Sequence, residues 1–189
     1  EGFDYYFGTP YSNDMKPFAL FANREVAEPA PADQTRLTER YTQAATEFIE
    51  QHANTPFFLY FAHYAVHMPL KAKADYVAHY SAVTNKPGQQ TNVIYAAMIE
   101  SIDESVGRIL QKLDELKLTE KTVVIFTSDN GGLVTSEGPN TPPTINAPLR
   151  EGKGWLYEGG VRVPLLARWP GVRRRRRGMR PSANRVRAS

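Results

Sequence analysis

Three short stretches of the chain hold residue types that can do chemistry. The first is Ser128-Asp129-Asn130-Gly131-Gly132, which sets a carboxylate beside an amide oxygen. Adjacent hard oxygen donors suit Ca²⁺, with Mg²⁺ as the alternative. The same residues also compose an ordinary Asp-Asn-Gly turn with no ligand. The second stretch places His63 and His67 four residues apart, just ahead of Pro69. A helix can chelate zinc through such a pair. Here Pro69 breaks a helix, and no glutamate lies between the histidines as in the zinc-protease motif. His67 reads instead as an acid, a base or an anion contact, or else as a hydrogen-bonded histidine without chemistry. His63 is read in the second way. The third stretch is Gly152-Lys153-Gly154. Flanking glycines let the backbone approach a ligand, and the ammonium suits an oxyanion such as sulfate or phosphate. The bland alternative is a surface lysine in a glycine-rich loop. A P-loop is excluded, because Ala147 and Gly154 stand where that motif needs Gly and Ser or Thr.

These residues need strands and helices to place them. Residues 122–127 are β-branched and aromatic without polar alternation, which predicts a strand buried on both faces of a parallel sheet. Asp129 and Asn130 then fall at its carboxyl end, where open α/β sheets bind ligands. Residues 56–62 predict a second buried strand leading to His67. Residues 163–169 predict a third, ended by Pro170 and Gly171. Asp33 predicts a cap for a helix running to about His52, with Leu37, Tyr41, Ala44 and Phe48 on one face. The longest helix is predicted from about Thr91 to Leu118. Ile94, Met98, Ile102, Val106, Ile109 and Leu113 line its apolar face, and Glu100, Asp103, Glu104 and Asp114 its solvated one. Residues 1–22 read as an irregular aromatic segment, 23–32 as a surface loop, 70–90 as a short helix and loop, and 133–148 as a long loop. Helix followed by strand, twice over, predicts a layered α/β architecture.

A chain of 189 residues predicts one core. Its 41% hydrophobic and 23% charged residues are those of a globular protein. With no cysteine, disulfides and thiolate metal sites are excluded. The net charge of +3 misleads, because residues 173–189 hold eight arginines and no acid, and subtracting them leaves residues 1–172 at −5. No nucleic acid partner is therefore expected for the body. The tail, 173–189, reads as disordered. It is either a basic arm for nucleic acid or anionic membranes, or the product of GC-rich DNA read in a shifted frame.

In combination the motifs resemble the type I sulfatase family, most of all its arylsulfatase A and N-acetylgalactosamine-6-sulfatase group. The resemblance rests on Gly2-Phe3-Asp4-Tyr5-Tyr6-Phe7-Gly8 with Pro10-Tyr11-Ser12-Asn13-Asp14, and on Leu37-Thr38-Glu39-Arg40-Tyr41. It continues through Pro56-Phe57-Phe58-Leu59-Tyr60, His67 with Pro69, and Val106-Gly107-Arg108. It ends with Thr127-Ser128-Asp129-Asn130-Gly131, Gly152-Lys153-Gly154, and Tyr157-Glu158-Gly159-Gly160-Val161-Arg162 with Pro164. The pairing of the Ser-Asp-Asn-Gly block with the Gly-Lys-Gly and Tyr-Glu-Gly-Gly blocks is what makes it specific.

The resemblance implies an alkaline-phosphatase-like α/β sandwich, with a mostly parallel mixed sheet between helices, and hydrolysis of a sulfate ester. It implies that Asp129 and Asn130 are two of the Ca²⁺ ligands. His67 would contact the bridging oxygen and protonate the leaving alcohol, and Lys153 would neutralise sulfate charge and share that task. The nucleophile would be a formylglycine made from Cys or Ser in a Cys/Ser-x-Pro-x-Arg motif. No such motif occurs here, so residues 1–172 read as part of a catalytic domain. The nucleophile segment, further metal-binding aspartates and a C-terminal subdomain would lie outside this sequence, and residues 1–189 alone are expected to be inactive. The expected partner is a sulfated small molecule or sulfated glycan, and the expected setting is periplasmic, secreted or lysosomal. Two other classes fit the same motifs. One is a related metal-dependent phosphatase or phosphodiesterase. The other is a non-catalytic sulfatase-like domain with a binding tail.

Overall fold

The computed structural model describes residues 2–83 and 91–172. The basic tail assigned to 173–189 and the loop expected at 84–90 lie outside the described residues. Three short strands open the chain: β1 (Phe7–Gly8), β2 (Leu20–Ala22) and β3 (Glu25–Glu28), paired antiparallel in that order. The sequence predicted no strand here. Phe7 pairs with Ala22 and Phe21 with Val26, and Asn23 makes the tight turn between β2 and β3 with φ 54°. Asparagine tolerates that left-handed conformation better than most residues with a β-carbon. The aromatic rings of this segment do pack, with Phe7 edge-on to Tyr41 at 6.0 Å and Tyr5 stacked on Phe48 at 5.9 Å.

The Asp33 carboxylate accepts the Thr35 amide at 2.9 Å and caps a single 3₁₀ turn, Gln34–Arg36. That turn feeds α1 (Leu37–Gln51), which buries Leu37, Tyr41, Ala44 and Ile49. Leu37 and Tyr41 close over Phe18, Leu20 and Ala32, with Phe7, Phe61 and Tyr64 packed around them. Next come α2 (Ala74–Ala82) and the long α3 (Val93–Glu115), which Asn92 caps by accepting the Tyr95 amide at 3.0 Å. Met98 and Leu113 are the most buried members of the predicted apolar face. Ile49 and Leu113 are each nearly inaccessible, and burying side chains of that size contributes roughly 1.5–3 kcal/mol each. Across the α1–α3 seam Thr42 donates to Ser105 at 2.6 Å. The α2–α3 seam is polar: Lys73 pairs with Glu104 at 3.4 Å and the Tyr76 hydroxyl bonds the same carboxylate. No helix among the described residues is long and apolar enough to cross a membrane.

The last unit holds β4 (Val124–Thr127), the short helix α4 (Glu158–Val161) and β5 (Leu165–Arg168). Here the sequence expectation fails in two respects. β4 pairs antiparallel with β5, Val124 opposite Arg168 and Thr127 opposite Leu165, and every pairing among the described residues is antiparallel. The strands are also open to solvent, with Ile125 at 64% and Leu165 at 70% exposure. Residues 56–62 form no ladder among the described residues, although the chain alternates like a strand and exposes Phe58 and Tyr60. Apolar composition marks these segments as interior strands. Burial and parallel pairing need neighbouring strands and covering layers, and the described residues supply neither. The described fold is α/β with two small sheets.

Candidate active site

The turn after β4 is built by its own side chains. Asp129 accepts the Asn130 amide at 3.0 Å, and the Ser128 hydroxyl donates to the Asn130 carbonyl at 2.8 Å. Both bonds close the loop into a compact bend with Asp129 exposed and Asn130 half-buried. The chain then passes under the lysine loop. Gly131 donates to the Gly160 carbonyl at 2.9 Å, and Lys153 donates its amide to the Gly132 carbonyl at 3.1 Å. A β-carbon on Gly131 would lie 1.7 Å from the Gly159 carbonyl oxygen, and one on Gly152 would lie 2.1 Å from the Gly132 carbonyl oxygen. No side chain fits at either crossing, so these glycines are required by close backbone approach. The consequence is chemical: the Asp129–Asn130 oxygens and Lys153 are joined through their backbones.

The Tyr157–Gly160 block braces the lysine loop. Gly159 donates to the Arg150 carbonyl at 2.8 Å, and the Arg150 guanidinium lies 3.8 Å over the Tyr157 ring. A cation against an aromatic face is held electrostatically. The sequence reading missed Asn146, whose amide group donates to the carbonyls of Gly132 at 2.8 Å and Glu151 at 3.0 Å. It clamps the two loops together from a proline-rich stretch, where a lone asparagine gives little signal.

His67 comes from the other half of the molecule. Its amide donates to the Tyr64 carbonyl at 2.6 Å, and its ring Nδ1 lies 2.7 Å from the Met68 carbonyl. A carbonyl only accepts, so Nδ1 carries the hydrogen and Nε2 is the atom left for chemistry. Tyr64 also donates its hydroxyl to the carbonyls of Tyr11 at 2.6 Å and Thr9 at 3.3 Å. The Pro10–Asp14 motif and the His67 turn therefore hang from one tyrosine. His63 is hydrogen-bonded: its Nε2 lies 3.3 Å from the Ser105 hydroxyl, and burial pushes its pKa down to about 4.

Asp14 is the second residue missed. Its carboxylate is held below the usual aspartate range first by the Ser12 hydroxyl's hydrogen bond, then by a backbone bond and the positive charges of His67 and Lys153. The signal was present, since Asp14 ends a quoted motif, but nothing in the spacing tied it to His67 or Lys153.

For a metal, the fit is partial. Asp129 and Asn130 offer hard oxygens, the donors Ca²⁺ prefers, but Ca²⁺ takes six to eight. Among the described residues no group of three or more His, Asp or Glu side chains gathers to hold an ion. Two ligands of the right type are present, and the rest would have to come from elsewhere.

Comparison with known proteins bears on the same residues. The Sulfatase family model matches residues 1–187. A sulfatase of Formosa agariphila is 39% identical over 146 residues, covering 72% of this chain and 25% of that protein. The N-acetylgalactosamine-6-sulfatase of Mus musculus is 37% identical over 187 residues, covering 90% of this chain and 34% of that one. Among solved structures, Ps i-CgsB in complex with k-i-k-neocarrahexaose superposes with a TM-score of 0.70 at 30% identity, over 89% of this chain and 40% of that one. The PsFucS1 sulfatase from Pseudoalteromonas sp. gives 0.71 at 27% identity, over 90% and 38%. The chain thus spans a quarter to a third of the length of the curated relatives it matches.

Proposed function

Because the chain belongs to the sulfatase family, we propose that the gene product carrying it hydrolyses a sulfate ester, and that residues 2–172 supply its leaving-group side and part of its metal site. The observation that supports this reading is the pair of backbone bonds, Gly131 to Gly160 and Lys153 to Gly132, which join the turn bearing Asp129 and Asn130 to the loop bearing Lys153. A sulfate ester presents dispersed negative charge and an alcohol that must leave with a proton. Lys153 supplies fixed positive charge where that charge develops. His67, with Nδ1–H engaged by the Met68 carbonyl, presents Nε2 to hold a proton for the departing oxygen. Asp129 and Asn130 would hold Ca²⁺, with Mg²⁺ the alternative. When bound, that ion would neutralise charge on the sulfate oxygens. A formylglycine nucleophile would be supplied by polypeptide outside this sequence.

The relatives support a substrate class. One is named N-acetylgalactosamine-6-sulfatase and one was solved in complex with k-i-k-neocarrahexaose, which favours a sulfated glycan over a sulfated small molecule as substrate, and a periplasmic, secreted or lysosomal setting accords with it. The test is sulfate release by the gene product from 4-nitrophenyl sulfate and from a panel of hexose monosulfates, before and after chelation and calcium return. Release that chelation abolishes and calcium restores is expected. Hydrolysis of the phosphate esters in place of the sulfates would move the protein to the phosphatase class.

A further inference from the structure

His67 sits in a stretch with little backbone support of its own. Between α1 and α2 the described residues form neither helix nor strand. Among them, residues 56–72 make one backbone hydrogen bond, from the His67 amide to the Tyr64 carbonyl at 2.6 Å. Two side chains tie this stretch by hydrogen bonds to the rest of the described molecule. His63 meets the Ser105 hydroxyl on α3, with Nε2 at 3.3 Å. The Tyr64 hydroxyl donates to the Tyr11 carbonyl at 2.6 Å, with the Thr9 carbonyl at 3.3 Å. A hydroxyl carries one hydrogen, so the shorter bond to Tyr11 is the principal one. The two ends of Tyr64 thus do different work: its side chain grips residues 9–11, and its main chain holds His67. The ring is seated by packing, 6.2 Å from the Tyr41 ring and against the cluster of Phe18, Leu20 and Leu37. The hydroxyl can therefore be removed while the ring stays in place.

Resting on the sulfatase reading, in which His67 protonates the leaving alcohol, we propose that Tyr64 is the positioning residue for that step. Its hydroxyl fixes the turn of residues 64–67, and with it His67, against the Thr9–Tyr11 segment. The His67 ring is oriented locally, by Nδ1–H on the Met68 carbonyl. That bond sets the tautomer but moves with the turn, so it does not set the place. Place is set by a bond that crosses to another segment. Within the turn itself only the Tyr64 hydroxyl makes one among the described residues. Proton delivery is sensitive to place, since a displacement on the order of 1 Å can cost about a hundredfold in rate. An ester with a poor leaving alcohol needs the proton, and a nitrophenyl ester scarcely does. A misplaced His67 therefore leaves a chemical signature that a general loss of stability does not.

The experiment uses the gene product, as wild type, Tyr64→Phe, His67→Ala and the double variant. Its substrates are the hexose monosulfate the wild type cleaves fastest and 4-nitrophenyl sulfate. Tyr64→Phe should lower kcat on the hexose sulfate by about ten- to a hundredfold with KM little changed, and should lose far less on the nitrophenyl ester. Placed on His67→Ala, it should cost nothing further, because the two residues act through one group. Tyr64→4-aminophenylalanine, whose N–H can donate to the same carbonyls, should restore turnover of the hexose sulfate. Hydrogen exchange reads the same effect without substrate: in Tyr64→Phe the His67 amide should exchange at least about tenfold faster, with α1 amides unchanged. One common factor of loss on both esters, a loss that persists on His67→Ala, or no loss at all would overturn the proposal. So would a phenylalanine variant that fails to fold, seen as lost protection across α1, since the hydroxyl would then support the whole fold. A wild type that releases no sulfate from any hexose would instead overturn the sulfatase reading, and this inference with it.

Discussion

Gly131 donates its amide hydrogen to the Gly160 carbonyl over 2.9 Å, and the chain there leaves no room for a side chain. A β-carbon at residue 131 would meet the Gly159 carbonyl oxygen at 1.7 Å. Gly131→Ala must therefore push the metal turn away from the lysine loop, at about 1–3 kcal/mol or more. Gly107, inside α3, is the control, because nothing lies within 4 Å of a β-carbon there. Alanine is the better helix former, so Gly107→Ala should gain up to about 1 kcal/mol. Urea unfolding of both variants checks the pair. Similar midpoints would show that the crossing is looser than described.

The pH dependence of stability should carry the signature of His63. Burial pushes its pKa from the ordinary 6.5 down to about 4. The unfolded chain takes up that proton below about pH 6.5, while the folded chain resists until about pH 4. Stability should hold level above pH 6.5, fall as pH drops to about 4, and level off for this group below that. A shift of that size corresponds to roughly 2–4 kcal/mol. Asp14, Asp33 and Glu104, whose carboxyls are held below their usual range, lose their contributions at lower pH still. Denaturant midpoints from pH 4 to 7 for wild type and His63→Gln settle the matter. An unflattened slope in the variant would place the titration elsewhere.

Asn146 should matter to the lysine loop more than to the fold as a whole. Its side chain and the Lys153 amide share the Gly132 carbonyl, at 2.8 and 3.1 Å. Asn146→Ala leaves the Glu151 carbonyl without this donor and removes the clamp, at about 1–3 kcal/mol. Hydrogen exchange reports it locally: the Lys153 amide should exchange at least about tenfold faster, with α3 amides unchanged. Uniform acceleration across the chain would mean global destabilisation instead.

What the sequence disclosed followed from how local each signal was. Asp33 caps the turn that leads into the predicted helix, because a cap is decided by a few adjacent residues. The coupling of Gly131 to the Gly159–Gly160 pair was foreshadowed by glycine blocks on both partners. The strands β4 and β5 were both found, but their antiparallel pairing was not. Val124–Thr127 has the composition of an interior parallel strand, yet pairing direction depends on which segments lie alongside. Strands β1 to β3 escaped notice because two, three and four residues are too short to show a period. Asn146 acts across 14 residues of chain on the Gly132 carbonyl, and no local pattern encodes such a meeting.

His67 gives the sharpest test of the chemistry. With Nδ1–H donated to the Met68 carbonyl at 2.7 Å, only Nε2 can deliver a proton, and its value depends on how badly the alcohol leaves. A nitrophenolate departs readily without one, whereas a sugar alkoxide does not. His67→Ala should therefore cost about 10²–10⁴-fold on a hexose sulfate, and far less on 4-nitrophenyl sulfate. The measurement is kcat/KM over a series of sulfate esters graded by leaving-group pKa. The variant should show a much steeper dependence than the wild type. Loss by one common factor along the series would mean that His67 binds sulfate without protonating the alcohol, and the leaving-group role would then fall to Lys153, whose own alanine variant should show the steep slope.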